Sequence, residues 1–175
     1  RLNGISYEAL PIETNDEGKE NLFAGRCDVY TTDASGLSST RAAASNPDKW
    51  VVLPEIISKE PLGPLVRHGD HQWGDVVRWS LNAMIIAEEL GITSENVDAQ
   101  MSSNVPEVLR LLGVEGNYGE MLELSNDWAY QIIKQIGNYS ESYEANVGPD
   151  TPLEIARGLN ALWTQGGILY APPFR

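Results

Sequence analysis

Asp28 and Asp33 bracket the segment Val29-Tyr30-Thr31-Thr32. Paired carboxylates can exchange protons with a substrate or hold a cation. Five positions apart on a strand-to-turn segment, these two need not face the same side. Asp28 reads as a solvent-facing strand residue. Asp33 reads either as a plain helix N-cap or as a carboxylate at a cleft, ready for a cationic group such as an ammonium. His68 and His71 are the only histidines. Their H-x-x-H spacing could serve a metal, but Gly69 and Asp70 between them suggest a solvated turn, and no third ligand is evident. No metal site and no cofactor is expected. No G-x-S-x-G elbow is present, and the two neighbouring histidines offer little to a Ser-His-Asp triad. Gly113, Gly116 and Gly119 lack the Lys-Ser/Thr of a phosphate loop and read as helix caps and turns. Asn138-Tyr-Ser140 matches a glycosylation sequon, a weak three-residue pattern.

The chain of 175 residues is one domain or one and a fraction, and its 42% apolar content can build a core. A net charge of −13 makes nucleic acid and anionic lipid poor partners. Cys27 is the only cysteine, which excludes a disulfide framework within this chain. The longest apolar run, Leu81 to Ala87, falls far short of the ~18 residues of a membrane span. No signal peptide is visible. Arg1 rather than Met opens the sequence, so the chain reads as processed, cut down or incompletely represented.

The elements that must position Asp33 follow from local pattern. Residues 5–12, 27–31 and 50–54 have the aromatic and β-branched character of strands. Between them, Thr14, Asn15 or Asp16 caps a short helix that stops at Gly25, and Asp33 caps a second that ends before Asn46-Pro47. Strand, helix, strand, helix, strand implies parallel pairing in an α/β layer, with ligands at the carboxyl ends of strands. Residues 54–64 hold three prolines and a glycine and read as a stiff crossover. Helices then dominate. A long one runs from His71 to Leu90 with Val77, Leu81, Met84, Ile85 and Glu88 near one face. Thr93 or Ser94 caps a short helix, and another covers Asn104 to Leu112. A further helix, capped by Asn126, carries the stripe Ala129, Ile132, Ile133 and Ile136. Tyr139 to Asn146 forms one more turn or two, and a short helix is expected around Ile155 to Leu159.

Several stretches together resemble one family. Ala24-Gly-Arg-Cys-Asp-Val-Tyr-Thr-Thr-Asp33 resembles a segment of periplasmic amino-acid-binding proteins, and Val52 through Pro64 resembles their return crossover. Asp75-Val-Val-Arg-Trp79, Ala87-Glu-Glu-Leu-Gly91, Arg157 through Trp163 and the Tyr170-Ala-Pro-Pro end follow in order. The subgroup is the general L-amino-acid receptor of polar amino-acid ABC importers, in the family 3 solute-binding proteins. The resemblance implies an α/β fold, part of the type II periplasmic-binding-protein architecture, and only the C-terminal half of it. Residues 1–53 would be partial lobe 2, residues 54–64 the interlobe hinge, and residues 65–175 the C-terminal part of lobe 1 with a helical extension. Ile57, Ser58, Lys59, Glu60 and Pro61 would form the hinge strand.

The same resemblance places the ligand's α-ammonium on Asp33, with Thr32 beside it as a further ligand contact. The family's arginine for the α-carboxylate and its aromatic clamp would lie before Arg1, as would an upstream cysteine able to pair with Cys27. The implied function is capture of a free L-amino acid in the periplasm of a Gram-negative bacterium and delivery to an inner-membrane ABC permease by lobe closure. It implies no catalysis and a precursor with a signal peptide. The missing N-terminal half, or another chain, would cover the edges and core faces left open. Two alternatives remain. One is an enzyme on the same fold, such as a cyclic-carboxylate dehydratase, which needs a cleft general acid, for which Asp33 is the candidate, and a base to pair with it. The other is a helical interaction protein built on residues 71–175, which would show an exposed apolar helix face.

Overall fold

A computed structural model of the chain describes residues 4–175. Residues 1–3 lie outside the described residues. The chain divides into two compact units, one ending at Ser58 and the other running Lys59–Arg175.

In the first unit, helix α1 spans Asn15–Phe23, and Thr14 caps it by accepting a hydrogen bond from the Glu17 amide. Gly25 follows at φ +67°, a left-handed stop that suits glycine. Helix α2 spans Ala34–Ala42 with Asp33 at its N-cap. A single 3-10 turn, Pro47–Lys49, leads to Trp50, whose ring meets Phe23 edge-on at 5.2 Å. Helix α1 packs through its smallest residue. A Cβ at Gly18 would sit 2.6 Å from Ile12 Cδ1 and 2.6 Å from the Tyr30 ring. The Tyr30 hydroxyl also reaches Asn15 Oδ1 at 3.1 Å. Thus α1 lies against the segments on either side of it.

Those segments correct one expectation. Residues 5–12, 27–31 and 50–54 form no β-ladder among the described residues. The one bridge there joins Leu162 and Leu169, far along the chain. A strand is stable only when a neighbour takes up its backbone groups. Here Ile5, Tyr7, Leu10, Val29, Val51 and Leu53 are exposed instead of packed. Asp33 therefore begins a helix without ending a paired strand.

The second unit is helical. Helix α3, His71–Glu89, is capped by Asp70, whose carboxylate accepts from the Trp73 amide at 3.1 Å. Short helices α4 (Val97–Gln100), α5 (Pro106–Leu111) and α6 (Tyr118–Met121) lead to α7 (Trp128–Ile136) and α8 (Tyr139–Asn146). The core gathers Ala83, Ile86 and Ala87 of α3, Leu111 of α5 with Leu112 just after it, and Ala129 and Ile133 of α7. Phe174, near the chain end, enters this core. It lies 5.2 Å from Trp79, 5.4 Å from Tyr118 and 6.0 Å from Trp128, ring centre to ring centre. The tail is further tied by Arg157, which pairs with Glu88 at 2.9 Å and stacks over Tyr139 and Tyr143.

Three details differ from the sequence pattern. The inward face of α3 and its cap is Val76, Trp79, Ala83, Ile85, Ile86, Ala87 and Leu90, so Ile85 of the expected stripe is buried there while Leu81 is exposed. On α7, Ala129 and Ile133 are buried while Ile136 is 60% exposed. Asn126 does not cap α7. Its Oδ1 instead accepts from the Gly119 amide at 3.1 Å, holding the start of α6. Gly113 makes that approach possible. It has φ +75°, and a Cβ there would lie 1.9 Å from the Asn126 carbonyl oxygen. The tail holds 3-10 turns at Gly158–Asn160 and Trp163–Gln165 in place of the expected helix.

Burial sets the expected response to mutation. Ile133→Ala removes a fully buried side chain and should lower stability by about 2–5 kcal/mol. Ile136→Ala, on the same helix but exposed, should change it by less than about 0.5 kcal/mol. Urea unfolding followed by tryptophan fluorescence compares the two.

Candidate functional site

Asp33 is held by the first turn of the helix it starts. Its Oδ1 accepts two hydrogen bonds, from the Gly36 amide at 2.7 Å and the Ser35 hydroxyl at 2.5 Å. Its Oδ2 has one long contact, 3.4 Å from the Thr32 hydroxyl. The carboxylate is therefore divided in duty. One oxygen is saturated by the helix terminus, and the other keeps acceptor capacity. Gly36 contributes by being small, since a Cβ there would lie 2.8 Å from Asp33 Oδ2.

The Ser35 hydroxyl, then the Gly36 amide, hold the Asp33 carboxyl below the usual carboxylate range. The positive end of α2 favours the same charged form. At neutral pH this is an oriented anion, half-buried, suited to a cation that can donate hydrogen bonds. Ser35 escaped the sequence reading. Its signal was the Asp-x-Ser spacing at a helix start, where short polar side chains bond one another and the first-turn amides.

The other candidates are not drawn into this site. Asp28 is exposed. Cys27 is a half-buried free thiol. His68 and His71 border an open depression of about 370 Å³ beside Asp70, Asp75, Arg67 and Arg78. Among the described residues no cluster of three or more His, Cys, Asp or Glu side chains gathers as a metal site would require. Ile57, Ser58, Lys59, Glu60 and Pro61 are exposed, and the division between the two units falls between Ser58 and Lys59. Asn138 of the sequon is buried. Its amide donates to the Ile92 carbonyl at 2.8 Å, and its oxygen caps α8. That amide is committed to the fold, and the Asn-x-x-Glu spacing to Glu141 was the readable sign of it.

No protein-family model matches the chain. Individual proteins do. Over its whole length the chain is 54% identical to the glutamate/glutamine/aspartate/asparagine-binding protein BztA of Rhodobacter capsulatus, covering 52% of that protein. It is also 54% identical to the general L-amino acid-binding periplasmic protein AapJ of Rhizobium johnstonii, covering 52% of it. The putative amino-acid ABC transporter-binding protein YhdW of Escherichia coli is 52% identical over the full chain. Over its full length the chain is similar to amino-acid ABC transporter-binding proteins. It spans about half the length of the curated relatives it matches.

A solved ABC transporter periplasmic binding protein from Brucella ovis, with glutathione bound, superposes with a TM-score of 0.91 at 49% identity. The match takes in 99% of this chain and 55% of that one. The backbone of this chain is accordingly part of a type II periplasmic-binding-protein fold, α/β in class.

The capping role of Asp33 has its own consequence. Asp33→Ala should cost about 0.5–2 kcal/mol of stability through loss of the cap. Because the folded-state carboxyl titrates below its unfolded value, this contribution is fully present above the unfolded value near pH ~3.9. It disappears as pH falls through the lower folded-state value. Thermal melts of both proteins between neutral and acid pH should show a gap that is steady above that point and closes below it.

Proposed function

We propose that the chain is part of a receptor that captures a free L-amino acid in the periplasm of a Gram-negative bacterium and hands it to an inner-membrane ABC permease. The observation that carries this reading is the open Oδ2 of Asp33, an oriented anion at a helix start with a free acceptor site. An α-ammonium fits it by charge and by its three donors. Thr32, beside the same oxygen, is a second contact to the ligand. The names of BztA and AapJ support amino acids as the ligand class. The glutathione of the Brucella protein agrees in chemistry, since its glutamyl end presents the same α-ammonium and α-carboxylate pair.

In this reading residues 1–53 belong to lobe 2, residues 54–64 form the hinge with Ile57 to Pro61 at its centre, and residues 65–175 belong to lobe 1 and its helical extension. The ligand's α-carboxylate is held by the part of the family fold that this chain does not span. Closure is favoured because only the closed state makes both sets of charge-assisted bonds, away from water. No covalent step is involved, and the oriented carboxylate serves binding.

The test is titration calorimetry with L-glutamate and L-glutamine on the receptor of full family length carrying this segment. Asp33→Ala should abolish measurable binding, since an unpaired buried charge partner costs ~2–5 kcal/mol. Retained affinity would refute the assignment of Asp33.

A further inference from the structure

Gly36 weakens the helix it sits in. It lies in the first turn of α2 and has no positive φ that would require glycine. Glycine inside a helix is less stable than alanine by its greater backbone freedom. The space around it accounts for the choice. A Cβ there would lie 2.8 Å from Asp33 Oδ2 and 3.1 Å from Thr32 Cγ2. The carboxylate is the end of a side chain, so it would be the group displaced. Ser35 acts on the other oxygen. With the Gly36 amide it occupies Oδ1, at 2.5 and 2.7 Å. The carboxylate torsion of an aspartate is otherwise broad. Two hydrogen bonds on one oxygen fix its plane and leave Oδ2 with only the 3.4 Å contact to the Thr32 hydroxyl. One free oxygen suits an ammonium, whereas the fork of a guanidinium takes two.

We propose that Ser35 and Gly36 are positioning residues of the amino-acid site: Ser35 locks the Asp33 carboxylate through Oδ1, and Gly36 keeps clear the space beside Oδ2, the oxygen that meets the ligand's α-ammonium. Both act through Asp33, and neither has to touch the ligand. The inference rests on the reading of Asp33 as the ammonium acceptor and adds the two residues that aim it. It carries a signature in acid. The Ser35 hydroxyl is the largest of the influences that hold the Asp33 carboxyl low, ahead of the Gly36 amide. Those influences are hydrogen bonds from neighbouring hydroxyls and backbone amides working against burial, with no charged side chain among them. Without the Ser35 hydroxyl the carboxyl titrates higher. Binding that needs the anion is then lost at a higher pH as the solution is acidified.

The experiment titrates L-glutamate into the receptor of full family length carrying this segment, unmodified and as Ser35→Ala, Ser35→Thr, Gly36→Ala and Asp33→Ala. At neutral pH, Ser35→Ala and Gly36→Ala should each weaken binding by roughly tenfold or more, the scale of one misdirected hydrogen bond to a charged group. Ser35→Thr keeps the hydroxyl and should bind like the unmodified receptor. In the ligand-free receptor, carbon NMR of the Asp33 carboxyl should show its titration moved to higher pH by Ser35→Ala and restored by Ser35→Thr. The acid limb of binding should move with it. A residue that only stabilised the helix would lower the melting temperature and leave both pH profiles in place. Should one alanine variant fail to fold, the other and the Asp33 titration decide. Unchanged affinity in a folded Ser35→Ala or Gly36→Ala, where Asp33→Ala abolishes binding, overturns the positioning role and leaves Asp33 as the ammonium acceptor. So does a weakened Ser35→Ala in which the Asp33 titration has not moved. Unchanged affinity in Asp33→Ala is a different result, which removes the underlying reading of Asp33 and this inference together.

Discussion

The second unit depends on the burial of one face of a single long helix. Along α3, Val76, Trp79, Ala83, Ile86 and Leu90 recur at spacings of three and four, and the other helices of that core take their places around them. The C-terminal tail has no long helix of its own to offer. It is held by Phe174 among three aromatic rings and by Arg157 on Glu88 of α3. That ion pair is largely buried. It persists because the guanidinium also stacks on Tyr139 and Tyr143 and donates to the Asn160 carbonyl, which leaves neither charge uncompensated.

The first unit rests on a different constraint. Its helices are short, nine residues each, and marginal by themselves. What they need is a sheet to lie on, and the extended segments that would build one have no ladder among the described residues. The candidate site escapes this weakness because it is local. Asp33, Ser35 and Gly36 lie within one helical turn, so the carboxylate is oriented by the chain immediately after it and not by distant packing.

Much of the helical content was legible because its signals are local. Thr14, Asp33 and Asp70 announce helix starts, and Gly25, Gly91 and Gly137 announce stops, since each acts on a backbone group within one turn. Of the stripe expected on α3, Ile85 is buried in the core while Leu81 is exposed, because Leu81 is as apolar as the residues that pack inward. Asn126 was misread for a related reason. A short polar side chain before a helix can cap it or bond across a loop, and the close approach at Gly113 decided for the loop.

The sequence by itself determined several helix starts, the carboxylate at the head of α2 and, through ordered stretches such as Ala24 to Asp33, the resemblance to amino-acid-binding proteins. These are properties of residues close along the chain or of their order. Only the tertiary structure decided that Asp33 keeps one oxygen committed and one open, that Asn138 is walled in, and that the strand-like segments stand unpaired. Each of those depends on which groups meet in space. β-pairing is the extreme case, because strand propensity describes fitness for a sheet and the sheet itself must come from neighbours elsewhere.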